Sequence, residues 1–191
     1  MLAVGCSAAA AERPLFRAGS EQAVPGEMRP ALPLIRFVLN ALDREDARTL
    51  AECIAENGLG AGDYGALLRA VRIGAGPGRR LWFVRPSHGP LWCHALYGAH
   101  LFRYFLVEER LGRTSRRYRL VFRNGGDFFA VYPRLHHGLN DIETTGCNAF
   151  KCWIVRLAYD GRRYRPIRCS RTDWRRDGTT VTRPIRCDTL N

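Results

Sequence analysis

The stretch Leu135–Arg165, LHHGLNDIETTGCNAFKCWIVRLAYDGRRYR, decides how this chain is read. It carries adjacent histidines, an Asp and a Glu, a close cysteine pair and an Asp-Gly step. Two readings compete: a metal centre, or a disulfide-stapled pair of strands.

The metal reading takes His136, His137, Asp141 and Glu143 as ligands. Adjacent side chains of an extended chain point to opposite faces, so His136 and His137 do not serve one ion together. Asp141 and Glu143 share a strand face, but with one histidine they leave a tetrahedral site short of a ligand. Cys147 and Cys152 join as thiolates only in a reducing compartment.

The strand reading uses every residue type in place. Gly138 permits a turn, Ile142 anchors a strand, Gly146 ends it, and a Cys147–Cys152 bridge closes the loop that follows. Trp153, Val155, Leu157 and Tyr159 then line one face of the next strand. Asp160-Gly161 turns the chain back into RRYRPIRC, a strong hairpin signature. On this reading the histidines diverge, Asp141 bonds to the turn backbone, Ile142 enters the core and no metal is held.

Strand patterns extend on both sides. RLWFVRP, LFRYFLVEE and DFFAVYP are short and aromatic or β-branched. In RRYRLVFRN, Tyr118, Leu120 and Phe122 alternate with Arg117, Arg119, Val121 and Arg123. Asn124-Gly125 and Asp177-Gly178 are further tight-turn signals. Upstream, LPLIRFVLNAL has a helical period, and Asp43 is placed to cap REDARTLAECIAEN, which Gly58 ends. Asp63 is placed to cap a third helix through YGALLRAVR, ending near Gly74. The expected fold is α+β: N-terminal helices followed by an antiparallel sheet of about six to eight short strands, stabilised by disulfides. Residues 1–30 read as a truncated signal-like segment and linker, 31–74 as helical, and 75–191 as β-rich, the last two forming one domain. GAGPGRR, Gly74–Arg80, reads as a flexible connector and lacks the Lys-Ser/Thr end of a phosphate loop.

The seven cysteines give a parity argument. Cys6 lies in Val4-Gly5-Cys6, which is similar to a lipoprotein cleavage box, although Ala3 stands where Leu is usual; Ala8–Ala11 offers an ordinary cleavage site. Acylation would tether the protein to a membrane through Cys6, and cleavage would discard that residue. Either outcome leaves six cysteines, an even number, for an oxidising compartment. The candidate pairs are Cys53–Cys93, Cys147–Cys152 and Cys169–Cys187. Cys93 with His94 and His100 also has the elements of a thiol nucleophile and its base, but a half-cystine at Cys93 accounts for the residue more simply.

The formal charge is +12, and Lys151 is the sole lysine. From Arg110 onward, 17 Arg and one Lys face seven carboxylates. Arg117, Arg119, Arg123, Arg162, Arg163 and Arg165 are therefore candidate contacts for an anionic partner. Aromatic residues are interleaved with them, which also suits single-strand nucleic acid in a cytoplasmic setting, without a named motif to support it.

HGLNDIETTG followed by YDGRRYR resembles an element of uncharacterised exported bacterial proteins, and is weakly similar to an FG-GAP blade. The resemblance covers about 30 residues. YPRLHHGLN, upstream of Asp141, lacks the acidic ligands that calcium needs in such a blade, so a calcium role does not carry over. The expected function is that of an exported, non-enzymatic envelope protein, periplasmic or membrane-anchored, that binds an anionic envelope polymer or a protein partner or acts as an inhibitor. The alternatives are an envelope hydrolase using His136, His137 and Asp141, and a cytoplasmic nucleic-acid-binding protein. No cofactor is expected.

Overall fold

A computed structural model describes residues 12–20, 22–60, 63–76, 78–87, 96, 102–112 and 116–190. Among the described residues, three α-helices, α1 (Leu32–Asn40), α2 (Arg44–Glu56) and the single-turn α3 (Tyr64–Leu67), and a 3-10 turn at Cys187–Leu190 accompany ten strands. These are β1 (Phe16–Gly19), β2 (Leu68–Gly76), β3 (Arg79–Pro86), β4 (Phe102–Leu111), β5 (Arg116–Gly126), β6 (Phe128–His136), β7 (Leu139–Cys147), β8 (Lys151–Tyr159), β9 (Tyr164–Trp174) and β10 (Thr180–Ile185). They form two antiparallel sheets, a six-stranded one in the order β1-β6-β7-β8-β9-β10 and a four-stranded one in the order β2-β3-β4-β5.

Strand alternation assigns the layers. Leu81 and Phe83 of β3, with Phe102, Tyr104 and Leu106 of β4, face Phe129, Val131, Ile142, Leu157 and Tyr164 of the six-stranded sheet. Phe83 stacks on Phe129 at 4.9 Å between ring centroids, and Tyr104 and Phe16 complete the aromatic centre. Such pairs add about 1 kcal/mol each beyond the area they bury. The opposite face of the four-stranded sheet, Val84, Phe105 and Val107 among others, is covered by Leu34, Ile35 and Val38 of α1 and Leu50 and Cys53 of α2. Asp43 caps α2 by accepting a bond from the Asp46 N–H at 2.9 Å, and Gly58 leaves it at φ +61°.

Adjacent Glu108 and Glu109 of β4 point to opposite faces, and both are buried. Isolated charges there would be very costly. Glu108 accepts bonds from Arg79 and Arg119. Glu109 accepts from the Trp82 indole at 2.9 Å and lies beside Arg80 and Arg116. Burial alone would raise the Glu108 pKa, but the hydrogen bonds and charges of Arg79 and Arg119 outweigh it, so the carboxyl titrates below its usual range.

Several expectations need correction. Residues from Glu12 to Pro30 do not act as a linker: β1 pairs with β6, and Ala18 and Val24 are buried. Buried Arg85 holds this segment, bonding to Glu27 and to the carbonyls of Gly19 (2.9 Å) and Gln22 (2.8 Å). The third helix stops at Leu67, and the rest of YGALLRAVR is β2, so the helical segment does not reach residue 74. Leu68, Ala70 and Val71 meet both cores, and a doubly buried strand lacks the alternation that would identify it. Gly74–Gly76 pair with Arg79–Leu81 as the ends of β2 and β3, with Gly76 opposite Arg79, and do not form a free connector.

Asn124-Gly125 is not a turn. Both residues continue β5 opposite β4, and the chain changes sheets at Asp127. A Cβ at Gly126 would lie 2.7 Å from the Thr145 carbonyl oxygen, so the crossing requires glycine. A register shift within β5 also breaks the expected alternation. Tyr118 and Leu120 pack toward the helices, while Phe122 packs toward the sheet interface against Tyr164.

Disulfides join Cys147 to Cys152, directly opposed across β7 and β8 with Cα atoms 4.0 Å apart, and Cys169 to Cys187, with Cα atoms 5.3 Å apart. Cys53 is also disulfide-bonded. The proposed Cys53–Cys93 pairing, the Cys93–His94–His100 group and Cys6 lie outside the described residues. Among the described residues, no helix is long and apolar enough to cross a membrane.

Candidate functional site

The His136–Asp141 region is a hairpin. His137 (φ 49°) and Gly138 (φ 79°) are the two central residues between the paired His136 and Leu139, the geometry of a type I′ turn. The histidines diverge. His136 Nδ1 lies 2.6 Å from Asp141 Oδ1, whereas a Cβ on Gly161 would sit 3.7 Å from His137 Nδ1, so His137 packs on the neighbouring Asp160-Gly161 turn. Ile142 is fully buried in the inter-sheet core. Asp141 does not bond to the turn backbone as expected; its partner is the imidazole. The reason is the irregular register between Val131 and Leu135, which places Tyr132, Pro133 and Arg134 opposite Asp141. Among the described residues, no three His, Cys, Asp or Glu side chains gather as a metal site.

A buried polar chain continues from Asp141 across the outer face of the six-stranded sheet. Asp141 Oδ2 is 3.7 Å from Arg156 Nε. The Arg156 guanidinium sits 3.3 Å above the Tyr132 ring centroid, and the Tyr132 hydroxyl donates to Glu143 Oε1 at 3.1 Å. Burial and the Glu143 carboxylate push the Tyr132 phenol up from its usual pKa. Arg156 Nη2 donates to Glu12 Oε2 at 2.8 Å, across 144 residues of sequence. Among the described residues, Arg156 Nε has no hydrogen-bond partner. A buried donor in that state is costly, and the Asp141 carboxylate 3.7 Å away compensates its charge.

Strand register builds the rest of the face. Arg17, Ala130, Glu143, Arg156 and Arg168 form one row across β1, β6, β7, β8 and β9. Two cavities adjoin at Glu143. One, of about 460 Å³, is lined by Arg17, Gln22, Phe128 and Thr145; the other, of about 390 Å³, by Ile154, Arg156, Arg168 and Ser170. Arg17 and Arg168 are exposed and make no ion pair among the described residues. The face therefore presents cationic hydrogen-bond donors around one half-buried carboxylate.

The arginines singled out from the sequence are dispersed. Arg119 binds Glu108 and lies over the Tyr159 ring, Arg123 donates to the Ala41 carbonyl and lies near Asp43, and Arg165 binds Asp160. Arg117, Arg162 and Arg163 are exposed. Arg162 and Arg163 use their backbone N–H groups to bind Asp160 Oδ1, which holds the Asp160 carboxyl far below its usual pKa. Sequence reasoning missed Arg17, Arg156 and Arg168. Only the alternation of Arg156 with the apolar residues of β8 marked it as facing away from the core.

No protein-family model, curated protein or solved structure matches this chain.

Proposed function

We propose that this is a non-enzymatic protein of an oxidising, extracytoplasmic compartment that binds an anionic partner on the outer face of its six-stranded sheet. The partner class is an acidic envelope polymer or an acidic protein segment; binding to an acidic enzyme would make the protein an inhibitor. The observation that carries this reading is the row Arg17, Glu143, Arg156 and Arg168, in which Arg17 and Arg168 are exposed and make no ion pair among the described residues. Glu12, which already places a carboxylate on Arg156 Nη2, illustrates the recognition chemistry. The Cys147–Cys152 and Cys169–Cys187 bridges favour an oxidising compartment.

Titration with poly-glutamate at low and high salt tests the proposal. Binding that weakens with salt supports it, and absence of binding at low salt contradicts it. The hydrolase alternative rests on the His136–Asp141 pair, whose buried carboxylate orients a half-exposed imidazole. Among the described residues no hydroxyl or thiol bonds to that imidazole, so the binding reading accounts for more of the face.

A further inference from the structure

At one end of the same sheet, two hairpin tips meet. The backbone N–H of Trp174 donates to the Phe150 carbonyl at 3.0 Å, one step beyond the Lys151–Asp173 pair of β8 and β9. The two residues are therefore neighbours through their backbones. Phe150 is 71% exposed and Trp174 44% exposed. Single exposed apolar residues are ordinary, but here two exposed aromatic residues lie at one end of the sheet, joined through their backbones and accompanied by basic side chains.

The tips are held in shape. Asn148 Oδ1 accepts from the N–H groups of Phe150 and Lys151, and Asp177 Oδ1 accepts from the Thr179 N–H. The Cys147–Cys152 bridge closes the base of the first tip. The same two hairpins carry five cationic residues, Lys151, Arg171, Arg175, Arg176 and Arg183, against the carboxylates of Asp173 and Asp177. Asp173 is already paired with Arg171, and Asp177 with its own turn, so Lys151, Arg175, Arg176 and Arg183 make no ion pair among the described residues.

We propose that this end of the molecule docks on an anionic lipid bilayer, with Phe150 and Trp174 entering the interfacial layer and Lys151, Arg175 and Arg176 contacting lipid phosphates. Amphipathic Trp favours the bilayer interface, and basic residues near a negative surface add to the partition. An acidic soluble partner would satisfy the cations but would leave the aromatic pair unexplained. This contact uses residues distinct from Arg17 and Arg168, and so goes beyond the polymer-binding reading.

The test is sedimentation of the oxidised, unacylated full chain with large vesicles. The expected result is at least about tenfold stronger partition onto phosphatidylglycerol–phosphatidylcholine vesicles than onto phosphatidylcholine alone. Replacing Phe150 and Trp174 together by Ala lowers that partition about tenfold, and Lys151→Glu with Arg175→Glu and Arg176→Glu removes the lipid preference. Brominated acyl chains quench the wild-type fluorescence, and the Trp174→Phe variant loses that quenching. Equal partition of the Phe150→Ala/Trp174→Ala variant and wild type, or no binding to phosphatidylglycerol vesicles, would overturn the proposal. Loss of vesicle binding in Arg17→Glu/Arg168→Glu would place the contact on the sheet face and overturn it too.

Discussion

His136 and Asp141 are joined across the β6–β7 turn, with Nδ1 and Oδ1 2.6 Å apart and the carboxylate almost fully buried. The same carboxylate faces Arg156, so it is the shared partner of an imidazole and a guanidinium. Asp141→Ala removes the partner of a buried arginine, and should cost about 3 kcal/mol of stability. Urea denaturation of wild type and variant checks this; a loss under about 1 kcal/mol would show that Arg156 finds compensation in Glu12 alone.

Because His136 is committed to Asp141 and His137 to the neighbouring turn, zinc finds no set of convergent ligands there. Addition of zinc or EDTA is expected to leave the melting temperature unchanged, since a metal held only by the folded state must raise it. A zinc-dependent rise that disappears in His136→Ala would instead promote the hydrolase alternative.

Much of this hairpin was legible because its determinants are local. Asp160-Gly161 and Asp177-Gly178 turn where expected, with Gly161 and Gly178 at positive φ. Phe16, Ala18 and Val24 were hidden in a Gly- and Pro-rich stretch, and only pairing with β6 and the Arg85 clamp reveal them as core. Leu68–Val71 looked helical because apolar residues face two cores at once. The row Arg17, Glu143, Arg156 and Arg168 spans most of the chain. It exists only through four strand registers, which no local signal sets.

The change of sheets at Gly126 offers a steric test. Gly126→Ala places a methyl group 2.7 Å from the Thr145 carbonyl, on backbone that cannot rotate away. A loss of about 2 kcal/mol is expected, as for other overpacked core sites. Gly146→Ala, which meets nothing within 4 Å, is the control and should cost less.

The two bridges differ in the length of chain they close. By loop entropy, the Cys147–Cys152 bridge contributes about 2 kcal/mol and Cys169–Cys187 about 3 kcal/mol. Paired Cys→Ala variants, unfolded in urea, should rank in that order. The reverse ranking would mean that native contacts at the C-terminal turn, and not chain entropy, dominate.

Burial raises the pKa of the Tyr104 phenol, and of the Tyr164 phenol with added repulsion from Asp141 and Tyr159. Both stay protonated in the folded state at a pH where unfolded tyrosines, with a pKa of about 10, lose their protons. The unfolded state then binds fewer protons, so stability is intact below pH 10 and falls as pH rises above it. Absorbance titration near 295 nm should show at least two late-ionising tyrosines, with melting temperature falling over the same range; a single ordinary tyrosine transition would contradict this.

The central claim is that the outer sheet face, and not the scattered exposed arginines, recognises the anionic partner. The most direct measurement is the affinity for poly-glutamate of wild type, Arg17→Glu/Arg168→Glu and Arg162→Glu/Arg163→Glu at one fixed low salt concentration. The charge change is the same in both variants, so a non-specific field effect is equal in the two. The account predicts a loss of about tenfold or more for Arg17→Glu/Arg168→Glu and a clearly smaller one for Arg162→Glu/Arg163→Glu. Equal losses, or a larger loss for Arg162→Glu/Arg163→Glu, would contradict it.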